Sequence, residues 1–371
     1  MNGIPNKERG ISLIEMMVGL TVGLVFLLIM TQILGVQSAQ KESTASGSTA
    51  QTAGAIALYT IERDARMAGF GGNGAPLLGC RVNGYYRGTA TIDPLLFTFA
   101  PVQIATGVNS DTLTIAYGTS EGNLSPAKLT AAHSGDNADY QVDNRFGFHE
   151  GDLMIVAQDG VDPNADGIND CTLVQVTGLP SAAGETSNIS GKIGTYTDAR
   201  TGIASQTKYN KTGGLSIAYT SGARVYNMGA PASRIYTVNG GTGQLTMQDI
   251  VTGMPARPLA DGIVSLRARY GKDTDGDGSI DAYDTTTPAT AADWSKVIAV
   301  HVAVVARGAK REVDLVTGAS LKLWPDVTLP SGAVVSGLTM ALTAEQQHYR
   351  YRVFQTLVPL RNRIWTIPAN S

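Results

Sequence analysis

The polarity of the chain changes sharply at residue 11. Residues 1–10, MNGIPNKERG, are polar and carry Lys7 and Arg9. From Ile11 to Val36 the chain is apolar, and between Met16 and Met30 only the hydroxyl of Thr21 interrupts the run. An apolar helix of about 20 residues crosses a bilayer core, so this stretch is long enough to span. It exceeds the apolar core of an ordinary secretory signal, and the best small-residue cleavage site beyond it, after Ala39, is weak. The basic residues precede the span, which predicts a cytoplasmic N-terminus and an exported remainder from about residue 40.

The next stretch, residues 37–54, is small and polar with Gly47 and Gly54, and reads either as a continuation of the helix or as a linker. Leu58, Ile61, Ala65 and Ala68 then recur at helical spacing. Arg63 and Arg66 suit a helix C-terminus, and Gly69, Gly71 and Gly72 end it. Beyond residue 72 the period shortens to two. Alternating or apolar runs at 112–117, 153–157, 172–176, 234–238, 244–247, 263–270, 297–305 and 349–358 predict strands. The sequence NGGTG between the fourth and fifth predicts a hairpin. Residues 118–145 and 180–215, rich in Gly, Ser, Thr and Asn, read as exposed loops. Thr343 with Gln346 fits a capping box.

The pattern therefore predicts an α+β protein, with one long N-terminal helix packed on a large β-rich globular region. The expected divisions are a leader over 1–10, a transmembrane half-helix over 11–36, an amphipathic continuation over 37–69, and an exported globular region over 70–371.

Composition narrows the function. With 28 Lys+Arg against 31 Asp+Glu, the net charge is −3 and no broad basic surface for nucleic acid is implied. At 43% hydrophobic and 16% charged, the chain is not disordered. Four histidines, at 133, 149, 301 and 348, show no metal-ligand spacing.

One residue breaks the apolar pattern. Glu15 stands at the mouth of the span, where a carboxylate near lipid is costly and marks function or pairing. The segment G10-I11-S12-L13-I14-E15-M16-M17 resembles the class III signal of type IV pilins and pseudopilins. The resemblance implies cleavage by a prepilin peptidase after Gly10, methylation of the new N-terminus at Ile11, and an assembly role for Glu15. The usual first mature residue in that family is Phe, so Ile11 is a departure. A new α-amino group is cationic near neutral pH. Glu15 of one subunit can pair with that amine of its neighbour, which rewards correct register in an apolar bundle. Further stretches resemble the PilW group of minor pilins: ERDARMAGF at the helix end, SDTLTIAYG, ADGIVSLRARYGKDTDGDG, and the close RYRVFQTLVPLRNRIW.

Two acidic loops suggest metal. D273-T-D275-G-D277-G-S279-I-D281-A-Y-D284 fits a calcium loop, with carboxylates at loop positions 1, 3, 5, 9 and 12 and the Ser279 carbonyl at position 7. Gly278 falls at the sharp turn, and Ile280 can anchor the loop. A weaker match, Asp162, Asn164, Asp166 and Asp170, lacks a ligand at position 12. Cys80 and Cys171 are either a disulfide, which the exported location favours, or two separate thiols. Three other motifs fail on context. The glycines of 69–74 follow a helix rather than a strand, and G118-T-S120-E-G122 is followed by Pro126 where a nucleophile-elbow helix would run. The basic close around Arg350, Arg352, Arg361 and Arg363 alternates as one face of a strand would.

The resemblance implies a non-enzymatic minor pilin that primes or joins type IV pilus assembly near the tip and supports twitching motility and adhesion. It would be held in the inner membrane, then pass into the surface fibre. Its partners would be the prepilin peptidase, other minor and major pilins, the inner-membrane assembly machinery and a large tip adhesin. The competing readings are a pseudopilin of a type II secretion system and a membrane-anchored, calcium-dependent binding protein or enzyme.

Overall fold

A computed structural model describes residues 10, 12–72, 76–87, 92–121, 125–135, 138–180, 187–215 and 217–364. One helix, α1, runs unbroken from Leu13 to Met67, 55 residues or about 83 Å at 1.5 Å per residue. The rest is β-rich, so the protein is α+β.

Of the two readings of residues 37–54, the continuous helix is the observed one. Its weak propensity has a packing reason. Ala50, Gly54, Ala57, Ile61, Ala65 and Ala68 share one face, and the five apolar residues other than Gly54 are at most 3% exposed. A Cβ at Gly54 would stand 2.2 Å from the Phe354 ring, so only glycine lets the helix approach there. Small side chains on this face bring the helix axis close to a sheet.

That sheet has four antiparallel strands in the order Ala282–Asp284, Ile263–Lys272, Val297–Arg311, Tyr349–Pro359. Val300, Val302, Val304 and Ala306 join the core beneath α1, while Ala303 and Val305 pack on the other face with Leu323 and Trp324. Burial on both faces explains why this strand reads as a near-continuous apolar run.

A five-stranded sheet, Met254–Asp261, Gln244–Asp249, Ala232–Asn239, Thr112–Tyr117, Val102–Ala105, closes the same core. Its central hairpin pairs Asn239 with Gln244 around the glycine-rich turn, as the sequence predicts. A six-stranded sheet lies further along the chain's fold, in the order Ile92–Thr98, Arg81–Arg87, Asp170–Gln175, Leu153–Ala157, Arg224–Gly229, Ala127–Lys128. Thr343 and Gln346 exchange side-chain to backbone hydrogen bonds of 2.9 and 3.2 Å, completing the expected capping box.

The segments read as exposed loops hold more structure than expected. Ala127–Lys128, Tyr140–Gln141, Asn188–Ile189, Thr195–Thr197 and Ala204–Gln206 are short strands. Leu129, Tyr140, Val142 and Ile189 contribute to a separate apolar cluster.

Candidate assembly helix and calcium loop

The two halves of α1 have opposite environments. Apolar side chains from Leu13 to Leu34 are exposed, while the second half docks on the sheets. Glu15 lies in the first turn, where its Oε2 accepts a 3.4 Å hydrogen bond from the Ser12 N–H. Among the described residues it forms no salt bridge. Gly10 is exposed; Ile11 lies outside the described residues.

At the docked end, Asp64 is 2% exposed. Arg234 Nη1 donates to both its oxygens, at 2.9 and 2.8 Å, and the Tyr236 hydroxyl donates to Oδ2. Burial, then the Asp64 charge, push the Tyr236 phenol above its ordinary range. This pairing ties the helix to the five-stranded sheet through a charge that cannot be left alone. Sequence reading missed it, because Asp64 sits among the ordinary-looking charges of ERDAR and its partner is 170 positions away.

The 273–284 loop is a compact acidic turn. One carboxylate oxygen each from Asp273, Asp275 and Asp281 lie within 4.8 Å of one another. Asp273 is 4% exposed and accepts from the N–H groups of Gly276 at 2.6 Å and Gly278 at 2.9 Å. Gly276 and Gly278 have φ of 84° and 86°, which the turn requires. The Thr274 backbone N–H, then its hydroxyl, hold the Asp281 carboxyl below its usual range. Ile280 reaches back over Gly271, as an anchor should. Two of the expected carboxylate ligands are placed otherwise. Asp284 lies on the strand Ala282–Asp284 and forms a 2.7 Å salt bridge with Lys272, and Asp277 accepts from Ser279 N–H at 2.6 Å. The short Asp284 side chain is thus drawn to a built-in cation rather than to the converging oxygens.

The 162–170 loop is met by a cation from a neighbouring strand, Arg81–Arg87. Arg81 Nε and Nη2 grip Asp170 at 2.6 and 2.9 Å, and Nη1 reaches Asp166 at 2.5 Å. Asn164 Nδ2 also donates to Asp170, at 3.0 Å. The Arg81 hydrogen bond is the leading cause of a lowered Asp166 pKa. Next to this pair, Cys80 and Cys171 form a disulfide, with Cα atoms 6.0 Å apart.

A third cluster joins the 273–284 loop to the far side of the four-stranded sheet. The Arg269 guanidinium, on a residue 5% exposed, lies over the Tyr283 ring at 4.2 Å and the Trp324 ring at 4.7 Å. Its Nε is 3.3 Å from His301 Nδ1. Burial, then the Arg269 charge, lower the His301 pKa to about 4, so the imidazole is neutral at physiological pH.

The bare apolar half-helix, Glu15 at its mouth and the docked globular region define the architecture of a pilin-type subunit. Residues 5–31 match the family model described as the Prokaryotic N-terminal methylation motif. Residues 235–362, which include the 273–284 loop and all four strands of the helix-bearing sheet, match the model described as Type IV Pilus-assembly protein W. Together the two matches are those expected of a PilW-like type IV pilin. No curated protein and no solved structure matches the chain. The two matches imply processing by a prepilin peptidase and association with other pilins and the pilus machinery.

Proposed function

We propose that this chain is a minor pilin that primes or joins type IV pilus assembly near the tip and so supports twitching motility and adhesion. The observation that carries this reading is the division of α1: one end is fastened to the globular region through Asp64, while the other exposes an apolar surface with a single carboxylate at its mouth. Before assembly the bare half lies in the inner membrane with the N-terminus cytoplasmic. On extraction it packs among the helices of other pilins, where the Glu15 carboxylate meets a neighbour's N-terminal amine.

The 273–284 loop fits one calcium ion. Asp273, Asp275 and Asp281 would hold it through their converging oxygens, and calcium would supply the charge that balances them. No metal is assigned to 162–170, where Arg81 already pairs with Asp166 and Asp170. The role of calcium would be to fix the loop that carries Tyr283 against Arg269.

Glu15→Ala tests the assembly role. The variant should be processed and membrane-bound, yet depleted from sheared pili. Recovery in pili equal to wild type would refute the pairing. Recovery only in a secretion pseudopilus would select the type II secretion reading.

A further inference from the structure

Between the strand Ser320–Trp324, the strand Leu338–Ala341 and the tip of the hairpin at 240–243 lies a cleft of about 540 Å³. That volume falls within the range of small-ligand sites. The cleft is apart from α1, the acidic loop and the disulfide.

Its walls are built rather than incidental. Arg267 donates to the Gly107 carbonyl at 2.6 Å and to Asp111 Oδ1 at 2.8 Å, and the Ser265 hydroxyl donates to the Asn109 carbonyl at 2.8 Å. These bonds hold Val108 and Asn109 at one rim. At the opposite rim, Asn239 Oδ1 accepts from Gly241 and Thr242 N–H groups, at 3.0 and 3.3 Å, and sets the shape of the glycine turn.

Two arginines line the cleft, and no carboxylate does among the described residues. Arg267 is neutralised by Asp111. Arg307 is not: it lies over the Tyr349 ring at 4.5 Å and bonds the Tyr351 hydroxyl, with no acidic partner among the described residues. A guanidinium held on an aromatic ring beside a phenol is preorganised for a planar oxyanion. Around it stand Asn109, Thr242, Thr339 and Gln346, amides and hydroxyls suited to several hydroxyl groups at once. Leu323 and Met340 offer apolar contact for ring faces.

We infer that this cleft binds a short acidic saccharide, with its carboxylate on Arg307 and its hydroxyls on the flanking amides and threonines. The binding belongs to the globular region and does not rest on the pilus reading.

The test is calorimetric titration of the full chain in detergent micelles with trigalacturonate, and with its methyl ester as the uncharged counterpart. Trigalacturonate should bind, and the ester at least about tenfold more weakly, the loss expected for a charged hydrogen bond. Arg307→Gln should weaken trigalacturonate by a similar factor. Gly240→Asp supplies a second variant: its Cβ meets nothing within 4 Å, so the turn accepts it while a negative charge enters the cleft wall. It should weaken binding without lowering the melting temperature. Equal binding of acid and ester, binding unchanged in both variants, or no binding of trigalacturonate at millimolar concentration would each overturn the inference. Acetate competing as well as trigalacturonate would reduce the site to a simple anion site and overturn the saccharide.

Discussion

Asp64→Ala should be among the most destabilising single changes where α1 docks on the sheets, although it lies among the ordinary-looking charges of ERDAR. The change leaves the Arg234 guanidinium without its carboxylate and the Tyr236 hydroxyl without its acceptor. Breaking a buried ion pair costs about 3–5 kcal/mol. The Arg234 side chain is 24% exposed, so water recovers part of that. The stranded Tyr236 hydroxyl, on a fully buried residue, adds about 1–3 kcal/mol. A total near 3 kcal/mol follows for Asp64→Ala, and roughly half for Asp64→Asn, which keeps an acceptor for the phenol. Urea unfolding of the full chain in detergent, followed by tryptophan fluorescence, measures this, because Trp294 is 2% exposed and reports on the same core. A double-mutant cycle with Arg234→Met should give a coupling above about 1 kcal/mol. A loss below about 0.5 kcal/mol for Asp64→Ala, or additive effects in the cycle, would show that α1 is held by apolar packing alone.

Three further outcomes are expected. Calcium should raise the melting temperature relative to chelator, with a stabilisation of about 2.7 kcal/mol at a hundredfold excess over Kd, and Asp273→Ala with Asp281→Ala should abolish the shift; elemental analysis finding no bound calcium in the wild type would count against the loop. Cys80→Ser and Cys171→Ser should each destabilise by a similar amount, up to about 4–5 kcal/mol in the chain-entropy model for a bond joining residues 91 apart, and unequal effects would point to roles beyond the bond. The lowered His301 pKa means that the unfolded chain takes up a proton there first as pH falls. Stability is therefore full above about 6.5 and should decline towards pH 4, by roughly 3 kcal/mol in all. His301→Gln should flatten that part of the profile, and an unchanged profile would refute the assignment.

How far the sequence reveals this structure depends on how local each cause is. The apolar run, the helical spacing of Leu58 to Ala68 and the NGGTG hairpin are local patterns, and they are visible in the chain. Gly54 reads as a helix weakener because its partner, Phe354, lies 300 positions away; only the packed structure shows why a side chain is excluded there. Polar composition hides the short strands of 118–145 and 180–215, since Leu129, Tyr140 and Ile189 are too widely spaced to show a period. Met254–Asp261 goes unseen because Pro255 and Pro258 argue against a strand, and both are tolerated on a sheet edge. The acidic loops look alike in sequence. Arg81, 89 positions before Asp170, separates them by supplying one with a cation of its own. Lys272 does the same for Asp284 and leaves three carboxylates converging in the other loop.

The central claim is that α1 enters a filament as the processed N-terminus of a pilin. Mass spectrometry of the mature protein from membranes and sheared fibres tests it most directly. Cleavage after Gly10 should leave a 361-residue chain beginning at a methylated Ile11. A mature chain beginning at Gln40 would have lost Glu15 and the whole apolar half of the helix, and would contradict the account.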